Sequence, residues 1–218
     1  FSSEVERVIK AVDSAILIVD SSEGPMPQTR FVLEKSLEIG IKPILFINKM
    51  DKKNERAKEV EDMVLDLFID LEASDEQLEF PVIYGIATEG IAKRNINDNS
   101  SDLSPLFETI LEHVNPYPDY DEESLQMQIY DLAYDDYLGR IGIGRIYKGS
   151  LKNGQTVAIS KRDASIEKGK ITKLFNYEGL NQVEVNQARS GDIVAIAGIP
   201  DISIGETICE LDNVEPLD

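Results

Sequence analysis

The chain has 218 residues and a formal net charge of −19, which argues against generic nucleic-acid binding because phosphates repel an acidic surface. No apolar run approaches the roughly 18 residues of a membrane-spanning helix, the opening residues do not resemble a signal peptide, and a lone cysteine, Cys209, allows no internal disulfide. We therefore expect a cytoplasmic protein with no membrane association and no disulfide-linked partner.

Helical and strand patterns alternate along the first half of the sequence. In chain order, the predicted elements are a helix at 4–12, a strand at 15–19, a helix at 27–40, a strand at 43–47, a helix at 55–71, a strand at 81–84 and a helix from about residue 104. The first two strands are continuous apolar runs, which are typical of strands buried on both faces of a parallel sheet. The alternation predicts an α/β domain over residues 1–121, with helices packed on a parallel sheet.

The pattern changes at the Pro-rich acidic segment 115–123, which we interpret as a linker. Beyond it, short apolar runs separated by Gly and Asn predict a small all-β barrel over residues 122–218. These runs lie at 125–132, 139–147, 156–160, 170–174, 192–197 and 207–209. The pair Asn153-Gly154 favours a type I′ hairpin turn.

The motif Asn48-Lys49-Met50-Asp51 directly follows the second predicted strand. Ligands of open α/β sheets bind at the carboxyl ends of strands. A carboxylate such as Asp51 can accept two parallel hydrogen bonds, from N1–H and the exocyclic amine of guanine, and adenine offers no such pair. Asn48 carries both a donor and an acceptor for the base edge, and the stem of Lys49 can lie against the ring while its ammonium stays in water.

A second candidate loop, Ile86-Ala87-Thr88, follows the third predicted strand. The backbone N–H of Ala87 could meet the guanine O6, and a small side chain lets the backbone come close. The alternative for each loop is an ordinary strand-end turn, because short motifs recur by chance.

One local basic surface stands out in the second half. The stretch 140–173 holds nine basic and two acidic side chains. Within it, Arg140, Arg145 and Lys148 are candidates for contact with the backbone phosphates of RNA. The alternative is scattered charge on the surface of the barrel.

Two strings carry a resemblance to a known family. The first is Glu23-Gly24-Pro25-Met26-Pro27-Gln28-Thr29-Arg30, followed by Ile47-Asn48-Lys49-Met50-Asp51. The second is Gly139-Arg140-Ile141-Gly142-Ile143-Gly144-Arg145-Ile146. Together they resemble the TypA/BipA family of ribosome-binding translational GTPases, with further support from 75–81 and 190–196.

The resemblance implies part of a P-loop GTPase-type domain followed by the domain II barrel of translation factors. It implies GTP or GDP as the ligand, the ribosome and ribosomal RNA as partners, and Asn48, Lys49 and Asp51 as the guanine-specificity motif. Ala87, flanked by Ile86 and Thr88, takes the second guanine contact. Ile86 departs from the family pattern, which usually has Ser at this position, so the support of a hydroxyl is lost.

G-x-x-x-x-G-K-[ST] does not occur in the sequence, and D-x-x-G does not occur in the α/β half, residues 1–121. We therefore expect the phosphate loop, switch I and the Mg²⁺ ligands to lie upstream, with no catalytic and no metal-binding residue in this chain. The parent protein is expected to hydrolyse GTP, and this chain alone is expected to be inactive. The alternatives are a non-catalytic ribosome- or RNA-binding fragment and part of another translation elongation factor.

Three further expectations concern packing. His113 is expected at a solvated helix end, and Cys209 is expected in the barrel core. Residues 1–121 alone are expected to be only marginally stable, because their three predicted strands leave an exposed edge.

Overall fold

The computed structural model describes residues 2–218, which form two compact units that divide between Pro116 and Tyr117. The sequence pattern places the division near residue 122 instead. Tyr117 belongs to the second unit because its hydroxyl donates a hydrogen bond to the carbonyl of Tyr147, at 2.9 Å.

The first unit contains helices packed around a short sheet. Its elements are α1 (Ser2–Lys10), β1 (Ile16–Asp20), α2 (Pro27–Glu38), β2 (Ile44–Asn48), α3 (Ala57–Asp70), α4 (Asp75–Leu78), β3 (Val82–Ile86), a 3₁₀ turn (Ala87–Glu89), β4 (Ile91–Lys93) and α5 (Ser104–His113). The sheet order is β1-β2-β3-β4, with the first three strands parallel and β4 antiparallel to β3. The three predicted strands are therefore present, and β4 is an additional one.

Apolar side chains cover both faces of this sheet at its central strands, β2 and β3. On one face, Leu45, Ile47 and Tyr84 pack with side chains of α2 and α3. On the other, a smaller cluster built on Phe46 and Ile83 packs against α5. Strand β1 ends the sheet order and leaves its Ile18 side chain 61% exposed.

The second unit is antiparallel throughout. Its strands are β5 (Gln126–Asp135), β6 (Gly139–Lys148), β7 (Ser150–Lys152), β8 (Thr156–Ser160), β9 (Ile166–Lys170), β10 (Lys173–Glu178), β11 (Asn181–Glu184), β12 (Gln187–Arg189), β13 (Ile193–Ala197) and β14 (Thr207–Cys209). Eight of them follow the order β11-β10-β13-β6-β5-β14-β8-β9, and β12 pairs separately with β7. Inward-facing side chains from both sheets share one core, which gives the unit a barrel-like interior.

The turn at Asn153-Gly154 differs from the predicted type I′ hairpin. Gly154 has a positive φ of 84°, Asn153 is not among the positive-φ residues, and the N–H of Gln155 donates to the carbonyl of Lys152 at 3.1 Å. These features fit a type II turn, which needs a positive φ only at its third residue. The strands on its two sides are not partners, because β7 pairs with β12 and β8 pairs with β9 and β14.

Cys209 is fully buried among the core side chains, as predicted, but it lies outside the main hydrophobic cluster of the barrel. Side chains alternate across a strand, so the neighbouring Ile208 enters that cluster and Cys209 faces the opposite side. There its thiol donates to the carbonyl of Glu215 at 3.6 Å, and burial raises the pKa of the thiol.

His113 is the last residue of α5, and its Nε2 lies 3.1 Å from the carbonyl oxygen of Lys42. In residues 2–218 we find no helix both long and apolar enough to span a membrane.

Candidate functional site

The candidate residues lie at the carboxyl ends of two neighbouring parallel strands. Asn48 is the last residue of β2, and Ile86 is the last residue of β3. The loops that follow these strands therefore leave the sheet at the same edge, where ligands of open α/β sheets bind.

Two hydrogen bonds join the loops. The Asn48 Oδ1 accepts a hydrogen bond from the N–H of Ala87 at 2.9 Å, and the N–H of Met50 donates to the carbonyl of Gly85 at 3.2 Å. Position 85 requires glycine, because a Cβ there would lie 2.4 Å from the Phe46 ring. The N–H of Ala87, for which a contact with the guanine O6 was predicted, thus donates to Asn48 in this structure.

Lys49 adopts the left-handed backbone conformation, with a φ of 62°. Its ammonium lies 2.9 Å from Asp20 Oδ2, while its side chain remains 53% exposed. The sequence predicted an ammonium that stays in water, and in the structure the half-exposed side chain also forms an ion pair with Asp20. The hydrogen bond and the charge of Asp20 raise the pKa of Lys49.

Asp20 is the central polar group of this region, and the sequence did not identify it. Its carboxylate, only 12% exposed, accepts hydrogen bonds from Lys49, from Lys52 at 2.9 Å and from Ser22, whose N–H and hydroxyl lie at 2.8 and 2.7 Å. Burial acts to raise the pKa of Asp20, but these donors outweigh it and hold the pKa well below its ordinary range. The available signal was the position of Asp20 at the end of the first apolar run, one strand away from Asn48.

The remaining candidates lie on the surface of the same edge. Asp51, Ala87 and Thr88 are exposed, and Ile86 is half-buried. Within the described part of the chain, no side chain or backbone group donates to the Asp51 carboxylate, so both of its oxygens can accept from a ligand. The same residues, 2–218, contain no cluster of His, Cys, Asp or Glu side chains arranged to hold a metal ion.

The three candidate RNA contacts of the second unit are all engaged. Arg140 donates to the carbonyl of Ile202 at 3.0 Å, and Lys148 pairs with Glu123 at 3.0 Å. Arg145 is only 4% exposed, and its guanidinium lies over the ring of Tyr117, 4.3 Å from the centroid. Its assignment as a phosphate contact is therefore wrong for this structure, since tertiary packing covers the charge.

Other basic side chains of the same stretch are exposed. Arg162, Lys168 and Lys170 are exposed, whereas Lys161 is half-buried and pairs with Glu206 at 3.0 Å. Lys168 and Lys170 lie on β9, which ends the eight-stranded sheet.

Comparison with known proteins agrees with this architecture. Residues 1–116 match the family model for the elongation factor Tu GTP binding domain, and residues 139–209 match the model for elongation factor Tu domain 2. The chain is 48% identical over 217 residues to the large ribosomal subunit assembly factor BipA of Bacillus subtilis, and 47% identical over 218 residues to that of Salmonella typhimurium. This chain belongs to the BipA/TypA family of translational GTPases. The family resemblance drawn from the sequence is thus confirmed.

These BipA relatives are longer proteins. Each match covers 100% of this chain and 36% of the relative. Among solved structures, the translation elongation factor SelB of Methanococcus maripaludis, in complex with the GTP analogue GppNHp, matches with a TM-score of 0.71. It is 21% identical, and the match covers 96% of this chain and 43% of SelB. The predicted fold class, a parallel α/β domain followed by an antiparallel β domain, is confirmed.

Proposed function

We propose that this chain provides guanine recognition in a ribosome-associated, cytoplasmic GTPase and that its second unit contacts ribosomal RNA. The observation that carries the proposal is the 2.9 Å hydrogen bond from Ala87 to Asn48, which holds the two candidate loops together beside the exposed Asp51. The match to the GTP binding domain family and the name of the relatives, large ribosomal subunit assembly factor, support it.

The arrangement suggests how the base edge is read. The Asn48 Oδ1 accepts from Ala87, so the amide Nδ2 is left to donate to the acceptor edge of guanine. Asp51 accepts from N1–H and the exocyclic amine, which only guanine presents together. Ala87 then acts on the base through Asn48, and the exposed Thr88 and the half-buried Ile86 shape the same loop.

Base recognition is tested by nuclear magnetic resonance titration of the 218-residue chain with GMP, IMP and AMP. The phosphate is common to the three ligands, so differences between them report the base. IMP lacks the exocyclic amine and should bind roughly 10-fold more weakly than GMP, because one hydrogen bond to a charged group is lost. AMP should bind more weakly still, and equal affinity for GMP and AMP would contradict the proposal.

GTP hydrolysis is proposed for the whole protein and not for these 218 residues. Phosphoryl transfer depends on a phosphate-binding loop, on Mg²⁺ and on a positioned water, and the loop motif does not occur between Phe1 and Asp218. We expect this chain alone to release no phosphate from GTP above the buffer rate, as measured by a phosphate-release assay. Release that depends on Asp51 would contradict this expectation.

For RNA contact, we propose the exposed lysines of β9 in place of the engaged residues Arg140, Arg145 and Lys148. The variant Lys168→Glu/Lys170→Glu should weaken binding to large ribosomal subunits at least about 10-fold and lower the slope of log affinity against log salt by roughly two, because two phosphate contacts are lost. The control is Lys148→Gln, whose lysine already pairs with Glu123. An unchanged salt slope in the double variant would exclude this surface.

A further inference from the structure

Asp20 lies at the centre of a hydrogen-bond network beside the proposed base site. The register of β1 and β2 places Asp20 directly opposite Asn48. One carboxylate oxygen accepts from the ammonium groups of Lys49 and Lys52, each at 2.9 Å, and the other accepts from the N–H and hydroxyl of Ser22. The N–H of Glu23 also donates to Asp20, at 3.3 Å. Asp20 is therefore a charged group fixed by five donors, and its side chain is only 12% exposed.

The backbone of Lys49 is held independently. The hydroxyl of Ser21 donates to the carbonyl of Lys49 at 2.8 Å, and the N–H of Ser21 donates to the carbonyl of Asn48 at 2.9 Å. These bonds maintain the left-handed conformation of Lys49, which is uncommon for a residue with a side chain. Both ends of the Lys49 side chain are thus anchored to the loop that follows β1.

We infer that Asp20 is a positioning residue for base recognition, which holds the Lys49 ammonium so that the methylene stem stands against the face of the guanine ring. The inference rests on the proposed function. A lysine stem covers apolar surface well when its charged end is satisfied elsewhere. Anchoring the ammonium in advance reduces the rotamer freedom that Lys49 loses when a base binds. Lys52 keeps the carboxylate neutralised and in place.

A double-mutant cycle tests this role. The 218-residue chain and its variants Asp20→Asn, Lys49→Met and Asp20→Asn/Lys49→Met are titrated with GMP. Each single change should weaken GMP binding roughly three- to ten-fold, which corresponds to the loss of one partly exposed ion pair. The double variant should bind no more weakly than the weaker single variant, because both changes remove the same anchored stem. If Asp20→Asn weakens binding equally in the Lys49→Met background, Asp20 acts independently of Lys49 and the inference is wrong.

A matched control separates positioning from general stability. Glu76→Gln removes another carboxylate–lysine pair of the first unit, at 2.6 Å from Lys42, and should leave GMP affinity unchanged. If Asp20→Asn does not fold, the test rests on Lys49→Met alone, in which Asp20 keeps its ion pair with Lys52. Unchanged GMP affinity of Lys49→Met would overturn the inference. If the unaltered chain does not prefer GMP to AMP, the proposed function is wrong as well. If the unaltered chain prefers GMP and the variants bind GMP as tightly as it does, only the positioning role is wrong.

Discussion

Replacing Asp51 with Asn is expected to change the base preference of this chain from guanine to xanthine. The proposed role of Asp51 is to accept from N1–H and the 2-amino group of guanine with two charged oxygens. Loss of two hydrogen bonds to a charged group, each worth about 1.5–3 kcal/mol, should weaken GMP binding by roughly 100-fold or more. An asparagine amide can accept from N1–H and donate to the 2-oxo group of xanthine.

The measurement is a titration of Asp51→Asn with GMP and with xanthosine monophosphate, each compared with the unaltered chain. The matched control is Asp66→Asn, which neutralises an exposed aspartate on α3 without altering the candidate loops. A variant that loses GMP affinity without gaining xanthosine monophosphate affinity would indicate that Asp51 supports the loop and does not read the base. Retained GMP affinity would remove Asp51 from the site.

The segment 122–218 is expected to be less stable than the segment 117–218 by about 3–5 kcal/mol, because residues 117–121 pack onto the β unit. The Tyr117 ring covers Gly191, where a Cβ would lie 2.7 Å from the ring. The Arg145 guanidinium lies over the same ring in a cation–π contact. Asp121 accepts from the N–H and hydroxyl of Ser190 at 3.0 and 2.7 Å, and the hydroxyl bond lowers the pKa of Asp121.

Thermal unfolding of the two segments checks this prediction, and a loss of this size in a domain of about 100 residues should lower the melting temperature by at least roughly 12 °C. In the whole chain, Tyr117→Ala should lower the stability of the β unit, whereas Tyr134→Ala should not, because Tyr134 is 76% exposed. Equal melting temperatures for the two segments would place the domain boundary near residue 122.

Much of the fold could be predicted because its main strands are locally encoded. The run at 43–47 is buried on both faces of the parallel sheet, so its sequence is continuously apolar. The equally apolar run at 15–19 also forms a parallel strand, but it lies at the edge of the sheet with Ile16 and Ile18 exposed, which the apolar pattern did not reveal. Strands β4, β9 and β11 lack such a run; β9, for example, has three charged residues among its five and is mostly exposed. These strands form because a neighbouring strand provides backbone hydrogen bonds. The hydrophobic pattern of the sequence does not show where such a neighbour will lie.

The sequence by itself determined the family, the fold class and the motif Asn48-Lys49-Met50-Asp51, because these depend on residues close together in the chain. Only the tertiary structure decided the partners of those residues. Parallel pairing of β1 with β2 brings Asp20 to Lys49 across 29 positions of sequence, and packing of Tyr117 covers Arg145. Charge and motif are properties of the sequence, whereas burial and pairing arise when distant segments meet, so the availability of a charged side chain is decided by the fold.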